Sequence, residues 1–152
     1  MDYLKKVEEF HKTFNHPVLE EPQLAPINRA QLRIALLKEE LRELEEAIEN
    51  NDLIEVADAL CDLQYVLSGA ILEFGLKDKF DEMFDEVQRS NMSKACQTIE
   101  EAEETMAKYS LEGVEVSATQ VGDVFVITRN TDGKILKSIN YSAAQLGQIL
   151  NS

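Results

Sequence analysis

The chain has 152 residues, of which 29 are acidic and 15 basic, so its formal net charge is −14. That balance argues against a nucleic acid polymer as partner, because such proteins need clustered Lys and Arg. The two cysteines have no metal-ligand spacing and are too few for a disulfide framework. Charges interrupt every apolar run, so neither a signal peptide nor a membrane span is expected. We therefore expect a cytoplasmic globular protein without a membrane partner.

Helical periodicity dominates the first 110 residues. The approximate limits of five predicted helices are 2–15, 29–49, 53–74, 77–89 and 98–109. All three prolines lie in the loop before the second helix, which is either a pocket cover or a connector. Asn28 is the expected cap of the second helix, and Asn51 or Asp52 that of the third, which should stop at Gly75. The link between these two helices is so short that they must lie antiparallel.

The pattern changes after Gly113. Two β-branched runs in DVFVITRNTDGKILKSINY flank NTDG, which predicts a hairpin that turns there, and EGVEVSA could add a third strand. SAAQLGQIL should form a closing short helix capped by Ser142. The predicted fold is mainly α, an antiparallel bundle of four to five helices in residues 1–110. Residues 111–152 form a β-hairpin appendage that packs on the bundle or on a partner subunit.

The second predicted helix carries two kinds of carboxylate. Its apolar face on a helical wheel consists of Leu36, Leu37, Leu41, Leu44, Ala47 and Ile48. Glu40 falls on this face, Glu43 lies just beyond it, and Glu39 is at the border. Glu45 and Glu46 point to the opposite, solvent-facing side.

The third predicted helix repeats this arrangement. Glu55, Asp58 and Asp62 fall within an arc of roughly 60° beside its apolar stripe. That stripe consists of Val56, Leu60, Leu63 and Leu67. Antiparallel packing through the leucines would bring the two acidic edges together, so that four or five carboxylates share a partly buried pocket.

Such crowding needs compensation, because neighbouring like charges cannot all remain ionised. Salt bridges from Arg33 or Arg42 are one remedy. A divalent cation is the other, and an oxygen-only ligand set selects Mg²⁺, Mn²⁺ or Ca²⁺ over Zn²⁺. Two acidic pairs on adjacent helices favour the metal site.

The segment QRSNMSK adds polar groups that could meet a ligand. Lys94 could bind a phosphate as a point charge, and Asn91 could donate a hydrogen bond. The alternative is a helix C-terminus whose basic residues, Arg89 among them, complement the dipole. Tyr65, near Asp58 on the wheel, could flank a base or could be a core residue. The two cysteines are expected to be small core residues.

Together these residues form a set that resembles a known superfamily. EELRE at residues 39–43 matches EExxE, and EVAD at residues 55–58 matches ExxD. The pair on consecutive helices resembles the all-α nucleoside triphosphate pyrophosphohydrolases, which include MazG-like enzymes, dimeric dUTPases and phosphoribosyl-ATP pyrophosphohydrolase. FDEVQRSNMSK and DGKILKSINYS look like later blocks of a bacterial phosphoribosyl-ATP pyrophosphohydrolase-like branch.

The resemblance implies Mg²⁺-dependent cleavage between the α and β phosphates in a homodimer or homotetramer. The implied metal ligands are Glu40, Glu43, Glu55 and Asp58. The implied catalytic residues are Glu39 and Glu40, of which Glu39 would orient the attacking water or bind a second ion. The groups implied to contact the substrate phosphates are Asn91, Lys94 and Arg89. Tyr65 and Asp62 lie outside the strict motif and are assigned to the substrate base.

Three functions follow in order of preference. The first is a nucleoside triphosphate pyrophosphohydrolase that yields a nucleoside monophosphate and pyrophosphate, with dUTP or another non-canonical nucleotide as substrate. The second is the phosphoribosyl-ATP pyrophosphohydrolase of histidine biosynthesis. The third belongs to another class, a non-catalytic helical module that binds cations or a partner protein.

Overall fold

The computed structural model describes residues 2–152. Within them the elements are α1 (Tyr3–Thr13), α2 (Ile27–Glu49), α3 (Leu53–Glu73), a 3₁₀ turn (Lys77–Lys79), α4 (Phe80–Met92), α5 (Ile99–Leu111), β1 (Val116–Val121), β2 (Val124–Arg129) and α6 (Leu146–Leu150). The predicted mainly α fold with a C-terminal hairpin and a short final helix is confirmed. The chain forms two compact units that divide after Asp81. The predicted domain boundary near residue 110 stays a prediction.

In the described part of the chain, no single helix is long and apolar enough to cross a membrane. Among the described residues, one pair of helical segments meets a length and composition criterion for a span when the two are taken together. The pair is α3 and Lys77–Met92, which are sharply bent relative to each other.

The first unit is built on the hairpin of α2 and α3. Asn51 adopts a left-handed conformation, with φ 54°, in the tight connection. Asp52 then accepts hydrogen bonds from the backbone N–H groups of Ile54 and Glu55, at 3.0 and 3.2 Å, which confirms it as a cap. The predicted Asn28 cap is wrong, because α2 already begins at Ile27 and the capping position is held by Pro26, whose ring offers no hydrogen-bond acceptor.

The proline-containing loop is fastened to the end of α3. The backbone N–H of Leu19 donates to the carbonyl of Leu72 at 3.0 Å, and that of Gln23 donates to Phe74 at 3.1 Å. At Gly75, with φ +67°, an added Cβ would lie 2.0 Å from the carbonyl oxygen of Glu21, so only glycine fits. The loop therefore serves as an anchored connector.

The side of α2 that faces α3 coincides with the predicted leucine face only in part, because Leu36, Leu37, Leu44 and Ala47 are buried or half-buried whereas Leu41 and Ile48 are exposed. Arg33, Glu40 and Ala47, spaced by seven residues, lie along it, with Arg33 and Ala47 each 5% exposed. A second stripe, here called the outer stripe, consists of Ile27, Ile34, Leu41 and Ile48. Its members are 49–75% exposed. Because a seven-residue step returns to nearly the same side of a helix, each set forms one continuous stripe.

The second unit contains the hairpin, but at a different place from the predicted one. β1 pairs antiparallel with β2 through a two-residue turn at Gly122 and Asp123, with φ +59° at the glycine. The EGVEVSA run is therefore the start of the first strand. The predicted turn at NTDG follows β2, and the run after it makes only an isolated bridge between Ile135 and Thr128.

The hairpin packs on α5, as predicted. The core between them consists of Cys96, Ala102, Ile127 and Leu136. The backbone of Cys96 exchanges two hydrogen bonds of 2.8 Å with Phe125, which adds a bridge to the free edge of β2. The predicted Ser142 cap is wrong, because α6 begins only at Leu146 and the Ser142 N–H donates to Ser93 Oγ at 2.9 Å.

Candidate active site

Five carboxylates from α2 and α3 meet around Glu40. Partial burial raises the pKa of Glu40, and four negative charges raise it further, in the order Asp62, Glu43, Glu39 and Asp58. We call these five residues the acidic cluster. The two acidic edges therefore lie close enough to influence each other, and Asp62, which lies outside the strict motif, exerts the largest charge effect on Glu40. The predicted shared, partly buried pocket is observed only in part, because Glu40 is half-buried and the other four residues are exposed.

The cluster has almost no positive compensation. Among residues 2–152, the side chains of Glu39, Glu40, Asp58 and Asp62 form no hydrogen bond or ion pair. Arg42 approaches Glu43 only to 4.0 Å and binds Glu46 instead. The alternative in which Arg33 neutralises the cluster is wrong, because Arg33 is buried against Glu73.

Glu55 belongs to the two motifs but not to the acidic cluster. It lies in the exposed first turn of α3. Its backbone N–H is held by Asp52, which fixes the start of the helix. One helical turn separates it from Asp58, so both side chains lie along the same side of α3. Its role as a metal ligand stays a prediction.

The donor set fits a hard divalent cation. Every donor is a carboxylate oxygen, and the raised pKa of Glu40 reports negative charge that a cation would neutralise. The oxygens are spread apart, which is expected of like charges: among residues 2–152, the only three candidate ligand atoms within 4.8 Å of one another belong to His11, His16 and Glu73.

That second group is a poor cation site. Glu73 is 1% exposed and already accepts hydrogen bonds from Arg29 Nε at 2.9 Å and Arg33 Nε at 2.9 Å. Two guanidinium groups would repel a metal ion there. The Nδ1 atom of His11 is also committed, since it lies 2.8 Å from the carbonyl oxygen of Pro17.

The ion network of Arg29, Arg33 and Glu73 is not among the features predicted from the sequence. Its signal was present: Glu73 is the only charged residue in the apolar run SGAILEFG, and the two arginines are four residues apart on α2. A carboxylate in such a run needs a buried partner, because an unpaired charge is costly to desolvate.

The predicted phosphate-binding groups lie in the second unit. Lys94 Nζ donates to Asn91 Oδ1 at 2.8 Å, so these two side chains come together as one exposed pair. Arg89 is committed to Glu86, at 2.7 and 2.8 Å, and also donates to the Ala143 carbonyl. The hydrogen bonds from Arg89 and from the Gln145 N–H lower the pKa of Glu86 to about 2. Phosphate binding by this group stays a prediction.

Tyr65 and Cys61 are surface residues of α3. Tyr65 is 40% exposed, and its ring meets Phe10 edge-on at a centroid distance of 5.5 Å, so the core alternative for Tyr65 is wrong. Cys61 is exposed, contrary to the expectation that both cysteines are core residues, whereas Cys96 is fully buried.

The charge on Glu40 gives a pH prediction for the metal-free protein. Since the folded-state pKa of Glu40 lies above its usual value of 4.5, its ionisation lowers stability as pH rises through that raised pKa. Glu40→Gln removes the repulsion and should raise the melting temperature at pH 7 on the order of 1–2 °C in EDTA. Calorimetry at pH 4 and pH 7 checks this, and a gain that is equal at both pH values would contradict it.

Comparison with known proteins agrees with this geometry. Residues 7–91 match the family described as phosphoribosyl-ATP pyrophosphohydrolase, a stretch that includes all of the acidic cluster. The chain is also 38% identical over 79 residues to uncharacterized protein L479 of Acanthamoeba polyphaga mimivirus. That alignment covers 46% of this chain and 30% of the viral protein. The chain therefore spans less than a third of the length of this relative.

Proposed function

Since this chain belongs to the phosphoribosyl-ATP pyrophosphohydrolase family, we propose that it hydrolyses a nucleotide between its α and β phosphates, releasing a monophosphate and pyrophosphate. The observation that carries the proposal is the acidic cluster, in which Glu40 is surrounded by uncompensated carboxylates on two antiparallel helices. The proposed cofactor is Mg²⁺, with Mn²⁺ as a substitute.

The carboxylates at this site have different proposed roles, namely metal binding and activation of water. Glu40, Glu43 and Asp58, with Glu55 and Asp62 beside them, would hold the metal. The ion would neutralise phosphate charge and polarise the reacting phosphoryl group when bound. Glu39 is exposed at the edge of the cluster without a partner, so its carboxylate can orient the attacking water and accept its proton.

Two substrate classes are candidates. The first is a nucleoside triphosphate such as dUTP or another non-canonical nucleotide. The second is phosphoribosyl-ATP, which the family match favours. Both contain the α–β anhydride bond that the proposal requires, so one assay covers them.

The test incubates the protein with Mg²⁺ and dUTP, ITP, ATP or phosphoribosyl-ATP, and measures pyrophosphate, orthophosphate and monophosphate. Equal amounts of pyrophosphate and monophosphate are expected from at least one substrate, and EDTA should stop the release. Release of orthophosphate would refute the cleavage position. No turnover of any substrate would favour the non-catalytic binding module.

We further propose that a second copy of the chain covers the outer stripe. Four large apolar side chains at seven-residue spacing are exposed on α2. Such a patch on a soluble protein marks an interface, and seven-residue spacing suits helix-on-helix packing. Sedimentation equilibrium should give a dimer or tetramer, and Leu41→Glu should shift it towards monomer. Glu46→Lys, an exposed charge change on a side of α2 away from the outer stripe, is the control. A monomeric wild-type protein at micromolar concentration would contradict this proposal.

A further inference from the structure

A cavity of about 450 Å³ lies against α3 within the first unit, next to the acidic cluster. We call it the Tyr65 cavity; its main lining residues are Tyr3 and Lys6 of α1 with Leu60, Cys61, Gln64 and Tyr65 of α3. Cys61 lies three residues after Asp58. Tyr65 likewise lies three residues after Asp62. Each of these pairs is separated by about 5 Å along the helix axis and by about 60° around it, so the cavity adjoins the side of α3 that carries the cluster.

The aromatic wall of the cavity is held in place. Tyr65 presents an exposed ring, and Phe10 supports it edge-on at 5.5 Å. Leu60 adds an apolar surface that is 51% exposed. A planar ring can pack against such a wall because aromatic rings favour offset or edge-on contact with each other.

Polar groups with unused capacity also line the cavity. Gln64 Nε2 donates to Ser68 Oγ at 3.1 Å, which orients the side-chain amide, while the amide oxygen Oε1 accepts no hydrogen bond from the described residues. The side-chain Nζ of Lys6 forms no hydrogen bond or ion pair within residues 2–152. The cavity thus offers one acceptor and one cationic donor beside an aromatic face, the combination that a nucleobase requires.

We propose that the Tyr65 cavity binds the heterocyclic base of the nucleotide whose phosphates lie at the acidic cluster. This inference rests on the proposed function and adds a location for base recognition. Tyr65 packs against the base, Gln64 accepts a hydrogen bond from it, and Lys6 donates to an exocyclic oxygen. The size of the cavity lies in the range of small-molecule sites.

The exposed Cys61 provides a readout that needs no catalysis. Because Cys96 is fully buried, an aromatic disulfide reagent should modify Cys61 alone, and Cys61→Ser should abolish the reaction. The probes are α,β-methylene ATP and α,β-methylene UTP, which resist cleavage, each with Mg²⁺. At ten times its dissociation constant, an analogue should slow the modification of Cys61 about tenfold.

Inorganic tripolyphosphate with Mg²⁺ is the matched control, since it carries the phosphates without a base. It should leave the modification rate unchanged. Three results would each overturn the inference. They are protection by tripolyphosphate equal to that by the analogues, no protection by either analogue, and a Cys61 that does not react in the free protein. If the analogues protect Cys61 but no nucleotide is hydrolysed, the base site stands and the proposed function fails. If nucleotides are hydrolysed without protection, the reverse holds.

Tyr65→Leu tests the aromatic wall directly. Loss of base packing should weaken the analogue at least about fivefold in the protection assay, with a matching rise in KM and little change in kcat. Phe84→Leu, which removes an exposed aromatic ring of α4 outside the cavity lining, is the control. An unchanged KM in Tyr65→Leu, with circular dichroism like that of the wild type, would show that the base binds elsewhere.

Discussion

Glu40→Gln is expected to lower pyrophosphate release with Mg²⁺ at least about a hundredfold. The substitution keeps the shape of the side chain but removes a charge from the centre of the acidic cluster, where Glu40 faces Asp62. A metal ligand set that loses one carboxylate binds the ion more weakly and positions the phosphates less well. The measurement is kcat/KM over a range of Mg²⁺ concentrations, with excess metal expected to restore only part of the activity.

Glu45→Gln is the matched control for this experiment. Glu45 is an exposed glutamate of the same helix and lies outside the cluster. Its substitution should leave kcat/KM within about twofold of the wild type. Asp58→Asn should resemble Glu40→Gln, because it removes the corresponding carboxylate from α3. Near-normal turnover in either cluster variant would show that the ligands were assigned wrongly.

Glu73→Gln is expected to destabilise the protein by roughly 3–5 kcal/mol, the cost of removing one partner from a buried ion pair. Arg29 and Arg33 would then keep two charges without their counter-ion in a part of the chain where Glu73 is 1% exposed. For a chain of this size the melting temperature should fall on the order of 10 °C. Urea unfolding followed by circular dichroism provides the measurement.

Glu46→Gln breaks an exposed salt bridge on α2 and serves as the comparison. Exposed pairs contribute about 0–1 kcal/mol, so its unfolding curve should be close to that of the wild type. Similar losses in Glu73→Gln and Glu46→Gln would mean that the buried network contributes little stability.

The same network predicts acid sensitivity. Burial alone would raise the pKa of Glu73, but the hydrogen bonds and charges of Arg29 and Arg33 outweigh it and hold this pKa below 4.5. The stabilisation is therefore complete above the unfolded-state pKa and is lost as pH falls from about 4.5 through the lowered value. Glu73→Gln should lose less stability than the wild type over that acidic range.

The sequence predicted the acidic cluster because helical periodicity alone assigns each carboxylate to a side of its helix. It placed Leu41 and Ile48 wrongly on the packing face, since the wheel cannot show that Arg33 would be buried against a partner 40 residues away. The predicted turn at NTDG does form, but the run after it makes only an isolated bridge to β2. The main partner of the β-branched run is the preceding run, which is less apolar and pairs with it through the turn at Gly122.

Nor could the sequence reveal the Tyr65 cavity. Its walls come from α1 and α3, which the proline-containing loop and α2 separate along the chain. A helical wheel describes one helix at a time. It therefore cannot predict that Lys6 of α1 and Gln64 of α3 line the same cavity.

The spacing along the α2–α3 seam links stability to the site. Arg33 and Glu40 are one seven-residue step apart, about 10 Å along α2. The guanidinium of Arg33 is locked to Glu73 on α3, so the helices cannot slide past each other without separating that buried pair. The network therefore fixes the register of α2 against α3. In that register Asp62 exerts the largest charge effect on Glu40. A one-turn slip of α2 would leave every carboxylate in the chain and still dismantle the cluster.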